Sequence, residues 1–307
     1  MGTRELSSTG GVCVAISEER RVPGHGVLRR VLMLVVSAGY WGSLSLKRAF
    51  LRLLGRVPPP TYLILYYHSV PSTDRKAFAR QVEMLARLAR PVNINSVEDV
   101  SSLVPGTRYA AITFDDGFED AIENAVPELV KRNVPAVFFV TTGVLGQPAA
   151  WWPEVAPERN RRIATAEQLQ QLPSEWIGIG AHTLTHPRLS QLDEAQAKRE
   201  ILEPREQLEA LLGRKIETFS FPYGDFNEAL IGWCREAGYQ RIFTTQHRNA
   251  FEPSSQFVVG RVKAEPTDWT LEFRLKLLGG YLWRPWASAL KRRFFAPPLV
   301  DRLQVSG

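Results

Sequence analysis

Apolar residues along this chain fall into short runs, and polar groups recur just past their ends. Tyr62 to Tyr67 (YLILYY), Ala110 to Phe114 (AAITF) and Pro135 to Val140 (PAVFFV) are five or six residues long and rich in β-formers. WIGIGAH, ETFSF, RIFTT and QFVVGRV extend the series to about seven strands between Tyr62 and Val262. Between them, Phe78 to Ala89, Phe118 to Arg132, Asp193 to Leu212 and Asn227 to Ala237 are predicted helices. Asp193 is placed to cap its helix and Gly238 to end the one before it. Strands alternating with helices predict an α/β fold with a parallel sheet and crossover helices. Seven strands are too few for a regular eight-stranded barrel.

The strand ends carry the chemistry. AITF runs into Asp115, Asp116 and Gly117; GIGA runs into His182; FSF into PYG; LYY into His68. In parallel α/β folds, reactive groups collect at this edge of the sheet. Asp116, His182 and His186 offer one oxygen and two nitrogens. The four-residue histidine spacing predicts both rings on one face of a helical turn. Two imidazoles and a carboxylate leave positions open for water and substrate, and favour zinc or a similar divalent ion over magnesium. Adjacent residues at a strand terminus point in different directions. Asp115 is then free to accept a proton from water activated by the ion. The competing reading is that both acids cap the helix beginning near Phe118.

Charge changes the picture at the two ends. The 307-residue chain has a net charge of +6 and only two cysteines, Cys13 and Cys234, so no disulfide framework is readable. Val31 to Leu46 carries no charge and is flanked by Arg29, Arg30, Lys47 and Arg48. The run is shorter than the ~20 apolar residues of a spanning helix. Its VSAG offers small residues of the kind found at signal-peptide cleavage sites, although a long leader precedes it. Leu46 to Arg56 then reads as a basic amphipathic helix, and Leu277 to Phe295 repeats the theme with Trp283 and Trp286 among arginines and lysines. These segments either pack on the core or dock on an anionic membrane surface. The basic residues sit in apolar terminal helices without a recognisable nucleic-acid module, which argues against nucleic acid as a partner.

TFDDG, HTLTHP and FPYG, in this order and on strand ends, resemble the polysaccharide deacetylase family, the carbohydrate esterases with a NodB-homology domain. The resemblance covers roughly Tyr62 to Val262. It implies a distorted (β/α) barrel and a metal-dependent hydrolase that removes acetyl groups from N-acetylated sugars. It further implies Asp115 as base, Asp116, His182 and His186 as metal ligands, and Phe221 to Gly224 as a groove wall. Pro222 and Tyr223 are the substrate-binding candidates there, with the Tyr223 N–H at the oxyanion. The chain departs from the family pattern in three places. Ser220 stands where an arginine often orients the catalytic aspartate, and Arg261 is the candidate to replace it. EPTDW has Glu265 where the family's fourth motif has aspartate. No histidine follows His247 to act as the late general acid, so His68 is the candidate for that role; alternatively it is a core histidine bonded to Asp115. His247 itself is expected on an exposed loop.

The expected organisation is an N-terminal extension over residues 1–57, a deacetylase domain over 58–266 and a C-terminal basic-aromatic extension over 267–307. The expected activity is hydrolysis of an N-acetyl group on a polysaccharide or glycolipid by a peripheral membrane protein. Another C–N hydrolase of the same fold, such as a cyclic-amide hydrolase, and a degenerate carbohydrate-binding protein are the alternatives.

Overall fold

The computed structural model describes residues 25–94, 103–248, 250 and 256–285. Its parallel sheet contains β1 (Thr61–Tyr67), β2 (Arg90–Pro91), β3 (Arg108–Phe114), β4 (Ala136–Val140), β5 (Ile177–Ala181), β6 (Thr218–Ser220), β7 (Arg241–Phe243), β8 (Val258–Val259) and β9 (Val262–Lys263). The helices are α1 (His25–Leu53), α2 (Arg75–Leu88), α3 (Glu119–Val130), α4 (Ala166–Gln170), α5 (Glu194–Leu212), α6 (Glu228–Glu236) and α7 (Thr270–Leu277). Asp193 and Asn227 cap α5 and α6 through their side chains, as their positions before each apolar pattern suggest.

The sheet order is β8-β7-β6-β5-β4-β3-β1-β9, with β2 beside β3. QFVVGRV, expected as one strand, is two. Val258 and Val259 pair with β7, whereas Val262 and Lys263 pair with β1. One short segment therefore supplies both edges of the sheet, and the sheet curls round to bring β7 and β1 to either side of it. The result is a distorted (β/α) barrel whose seam is crossed by Gly260 and Arg261. A side chain at Gly260 would place its Cβ 2.4 Å from the carbonyl oxygen of Gln246, so the crossing needs glycine.

Side-chain alternation divides the core in two. Tyr62, Ile64, Ala111, Val137, Phe139 and Phe243 point into the barrel. Their neighbours Leu63, Leu65, Ala110, Ile112 and Phe138 point outward into the layer shared with the helices. There Phe114 stacks on Phe138 with ring centroids 4.4 Å apart. Each such buried ring stabilises the fold by roughly 1.5–3 kcal/mol.

The expected apolar run and basic amphipathic helix near the N-terminus are one continuous helix of 29 residues, α1. It lies against the barrel along one face. Arg30 Nε donates to Glu272 at 2.6 Å, Trp283 Nε1 donates to Ser37 at 3.0 Å, and Arg48 donates to the carbonyls of Pro59 and Gly106. Trp283, expected at a membrane interface, instead ties the C-terminal segment to α1. Trp286 and the rest of the expected helix beyond residue 285 lie outside the described residues. Phe273, Leu275 and Leu277 of α7 belong to the main core, so the packed unit continues past residue 266.

Candidate active site

β3 hands its last ladder bond to Asp115, whose N–H donates to the carbonyl of Tyr67 at 2.8 Å. The chain then turns sharply through two left-handed residues, Asp116 at φ 70° and Gly117 at φ 83°. That reversal sends the two carboxylates apart. Asp115 faces the barrel seam, where Arg261 meets it in a fork: Nη1 donates to Oδ1 at 2.7 Å and Nη2 to Oδ2 at 2.8 Å. Arg261 is fully buried and also donates to Ser220 Oγ and Thr113 Oγ1. Ser220, the position where the family often has arginine, is thus an acceptor for an arginine arriving from the opposite side of the sheet. Burial pushes the Asp115 carboxyl up, but the Arg261 guanidinium, together with His182 and His68, brings the net value below the usual carboxylate range.

Asp116 faces the other way, towards His182 and His186. Its Oδ1 lies 3.4 Å from His182 Nε2 and 3.2 Å from His186 Nε2. One donor atom from each of the three side chains lies within 4.8 Å of the other two. Both imidazoles are oriented from behind. His182 Nδ1 is 2.7 Å from the carbonyl of Ser220, and His186 Nδ1 is 3.2 Å from the Tyr223 hydroxyl. A carbonyl can only accept, so His182 carries its proton on Nδ1 and turns the lone pair of Nε2 towards Asp116. Both oxygens of Asp116 are buried without a hydrogen-bond donor. A buried carboxylate without donors is costly unless something cationic meets it. A divalent ion held by two nitrogens and an oxygen fits that arrangement.

The histidines do not share a helical turn. His182 continues the β5 ladder through its N–H to Val140, and the residues after it form a loop. Thr183 at φ 67° and His186 at φ 63° bend this loop so that the rings meet with centroids 5.0 Å apart. Glu200 of α5 holds it, accepting from the N–H groups of Leu184 and Thr185 and from the Thr185 hydroxyl. Of five non-glycine residues in the left-handed region among those described, Asp116, Thr183, His186 and Tyr223 surround the site. Such residues cost about 1–3 kcal/mol each, and they concentrate where geometry serves chemistry.

The helix-cap reading of the two acids fails: Phe118 occupies the N-cap of α3. Pro222 and Tyr223 lie in a short 3-10 turn after β6, and Arg188 packs over the Tyr223 ring at 4.3 Å. His68 is half-buried at the end of β1, edge-on to Trp152 at 5.8 Å. Both oxygens of Asp115 go to Arg261, and no hydrogen bond joins His68 to them. Burial lowers the His68 pKa, and the Asp116 and Asp115 carboxylates oppose that shift. His247, expected on an exposed loop, is buried with Nε2 2.9 Å from Arg284. Asp268 of EPTDW pairs with Lys276 at 2.7 Å. Two participants escaped the sequence reading. Trp151 stacks on His186 at 4.5 Å, and Glu200 braces the histidine loop. The WW pair between two strands was a usable signal for the first; a glutamate within a long helix carried none.

An Asp–His–His cup that could hold a metal ion thus lies beside an arginine-locked aspartate, at the C-terminal ends of the parallel strands of the barrel. The polysaccharide deacetylase family model matches residues 104–242 of the chain. The Bacillus subtilis protein YxkH is 24% identical over 219 residues, covering 68% of this chain and 73% of that one. The chitooligosaccharide deacetylase of a Bradyrhizobium species is 26% identical over 165 residues, covering 52% of this chain and 67% of that one. Among solved structures, IcaB from Ammonifex degensii superposes with a TM-score of 0.59 at 25% identity, covering 71% of this chain and 97% of that one.

Proposed function

We propose that this protein is a metal-dependent deacetylase that hydrolyses the N-acetyl group of an amino sugar within a polysaccharide or lipid-linked glycan. One observation carries the reading: Asp116 is buried with neither oxygen satisfied, between two imidazole Nε2 atoms and next to an aspartate held by a separate arginine. The name of the Bradyrhizobium relative, a chitooligosaccharide deacetylase, supports the substrate class.

In this reading Asp116, His182 and His186 would hold the ion, and two imidazoles with one carboxylate favour zinc. A bound divalent ion would polarise the amide carbonyl and make water a competent nucleophile at neutral pH. Asp115 takes the proton from the attacking water. Arg261 fixes the carboxylate by a two-point contact and keeps it ionised. The Tyr223 N–H is the donor to the developing oxyanion, and Pro222 shapes the adjoining wall. His68 returns a proton to the departing amine; its half-exposed position by Trp152 leaves it open to the groove. The catalytic unit runs over residues 58–266, with residues 1–57 and 267–307 as extensions and α7 lending core contacts.

The deciding experiment is acetate release from N-acetylated glycans of several backbones, with and without a chelator and after zinc is restored. Release that stops with the chelator and returns with zinc is the expected result. Release unaffected by the chelator overturns the metal-dependent reading, and no release from any glycan overturns the substrate class.

A further inference from the structure

The site accounts for the strand ends but not for α1. Its inner face is bound to the barrel at three levels, through Arg30, Ser37 and Arg48. Among the described residues, nothing covers its outer face. Leu28, Leu32, Val35, Leu46, Phe50 and Leu53 follow one another at helical spacing along that face and are 60–84% exposed. No charged residue interrupts this stripe. The stripe is about 38 Å long at 1.5 Å per residue, with only Gly39 and Gly42 on that face between Val35 and Leu46. So much exposed apolar surface is far from what water tolerates on a monomer.

Charge identifies what covers it. Between Arg20 and Thr73 the sequence contains no aspartate or glutamate. Lys47, Arg52 and Arg56 form no ion pair with any described residue, and neither does Arg108 at the start of β3. Arg48 sits among them beside a cleft of about 240 Å³ walled by Trp41, Leu44, Leu51 and Leu282. Its Nε is buried without a partner. Burial, together with the Arg108 and Arg52 charges, holds its guanidinium below the usual value. A cluster of cations without a described carboxylate, next to apolar walls, suits an anionic amphiphile. A second copy of this chain fits poorly. Pairing two such helices in either direction sets Arg29, Lys47, Arg52 and Arg56 of one against the same charges of the other.

We infer that α1 docks the protein in the plane of an anionic phospholipid bilayer, its outer stripe in the acyl region and the exposed Lys47, Arg52 and Arg56 on lipid phosphates. The helix does not span the membrane in this arrangement. Crossing would break its contacts at Arg30, Ser37 and Arg48, which tie some 27 Å of its length to a barrel with a polar exterior. The contacts also set the pose. Arg30 meets Thr267, beyond the C-terminal end of β9, and Arg48 meets Gly106, before the N-terminal end of β3. The helix therefore runs along the barrel wall from the end that holds Asp115 to the opposite end. Lying flat, it turns the site to open along the membrane surface, towards glycan attached nearby.

The test is flotation of the full chain with phosphatidylcholine vesicles with and without phosphatidylglycerol. Binding to the anionic vesicles, weakened by salt and released by alkaline carbonate, is expected. Replacing the exposed Lys47, Arg52 and Arg56 together by glutamine should lower partitioning on the order of 10²-fold, given the worth of each cation near such a surface. Leu32→Glu with Leu46→Glu should abolish flotation without changing the circular dichroism spectrum, since both side chains are exposed. Absence of flotation on any vesicle overturns the proposal, and carbonate resistance shows a spanning helix instead. A salt-insensitive dimer that ignores vesicles assigns the face to a second copy. None of these readouts depends on deacetylase activity, so the membrane proposal and the proposed chemistry fail separately.

Discussion

The strand-end site and the outer wall of α1 both contain groups that the protein leaves unsatisfied, but of opposite sign and in opposite surroundings. At the strand ends, the groups around Asp115 and along the histidine loop are partnered. Arg261 makes four contacts with Asp115, Ser220 and Thr113, and Glu200 closes three donors of the histidine loop. Against that background the two bare oxygens of Asp116 stand out, deep in the protein and negative. On α1 the bare groups are positive and near the surface, and apolar side chains are exposed around them. An orphan inside a satisfied network points to a small ion held by directional ligands. Orphans on an apolar ridge point to an extended, deformable partner.

The comparison breaks first at the metal cup. His182→Ala or His186→Ala should strip the bound ion and reduce acetate release to background, read by elemental analysis and product assay. Asp115→Asn should keep the ion yet lose roughly 10²–10⁴ in turnover, the usual worth of a positioned base. Equal metal loss in both classes of variant would erase the division between the two aspartates.

Arg261→Met tests the buried pair. Removing one partner of a buried ion pair costs about 3–5 kcal/mol, so the variant should unfold at markedly lower denaturant, in addition to losing turnover. The pH dependence follows from the same pair. Asp115 has a depressed value in the folded protein, so its contribution is present above the ordinary carboxyl value of 3.8 and disappears as pH falls through the lower folded value. Stabilities of the wild type and Asp115→Asn should therefore converge only below pH 3.8. Tyr223→Phe removes the hydroxyl behind His186 and should weaken metal affinity about 10–100-fold, with the fold intact. The smallest effect is expected on α1: Leu46→Glu should change stability by no more than about 0.5 kcal/mol, because its side chain has no neighbour to lose. A larger loss would mean that the outer face is covered within the protein itself.

Much of this was legible in the chain. Short β-rich runs ending in DDG, AH and PYG announced a parallel fold with chemistry at its strand ends, because the period of apolar residues is a local property. The partners of the motifs were less legible. Asp115 and Arg261 are 146 residues apart and meet only because QFVVGRV splits between the two edges of the sheet. The helical-turn expectation for His182 and His186 failed because two left-handed residues bend the loop, and Glu200 stabilises a conformation that spacing alone disfavours.

By itself, the sequence determined the element order, the chemical types at the site and the basic, acid-free character of the N-terminal helix; these depend on neighbouring residues and on composition. Tertiary structure alone decided that left-handed residues and Glu200, and not a helical turn, bring His186 to His182. It also decided that Trp283 binds α1 while Leu32 and Leu46 face outward. The physical reason is common to all of these. Which way a side chain points, and whether its charge is answered, is set by groups brought near from distant parts of the chain, and a linear pattern holds no record of those distances.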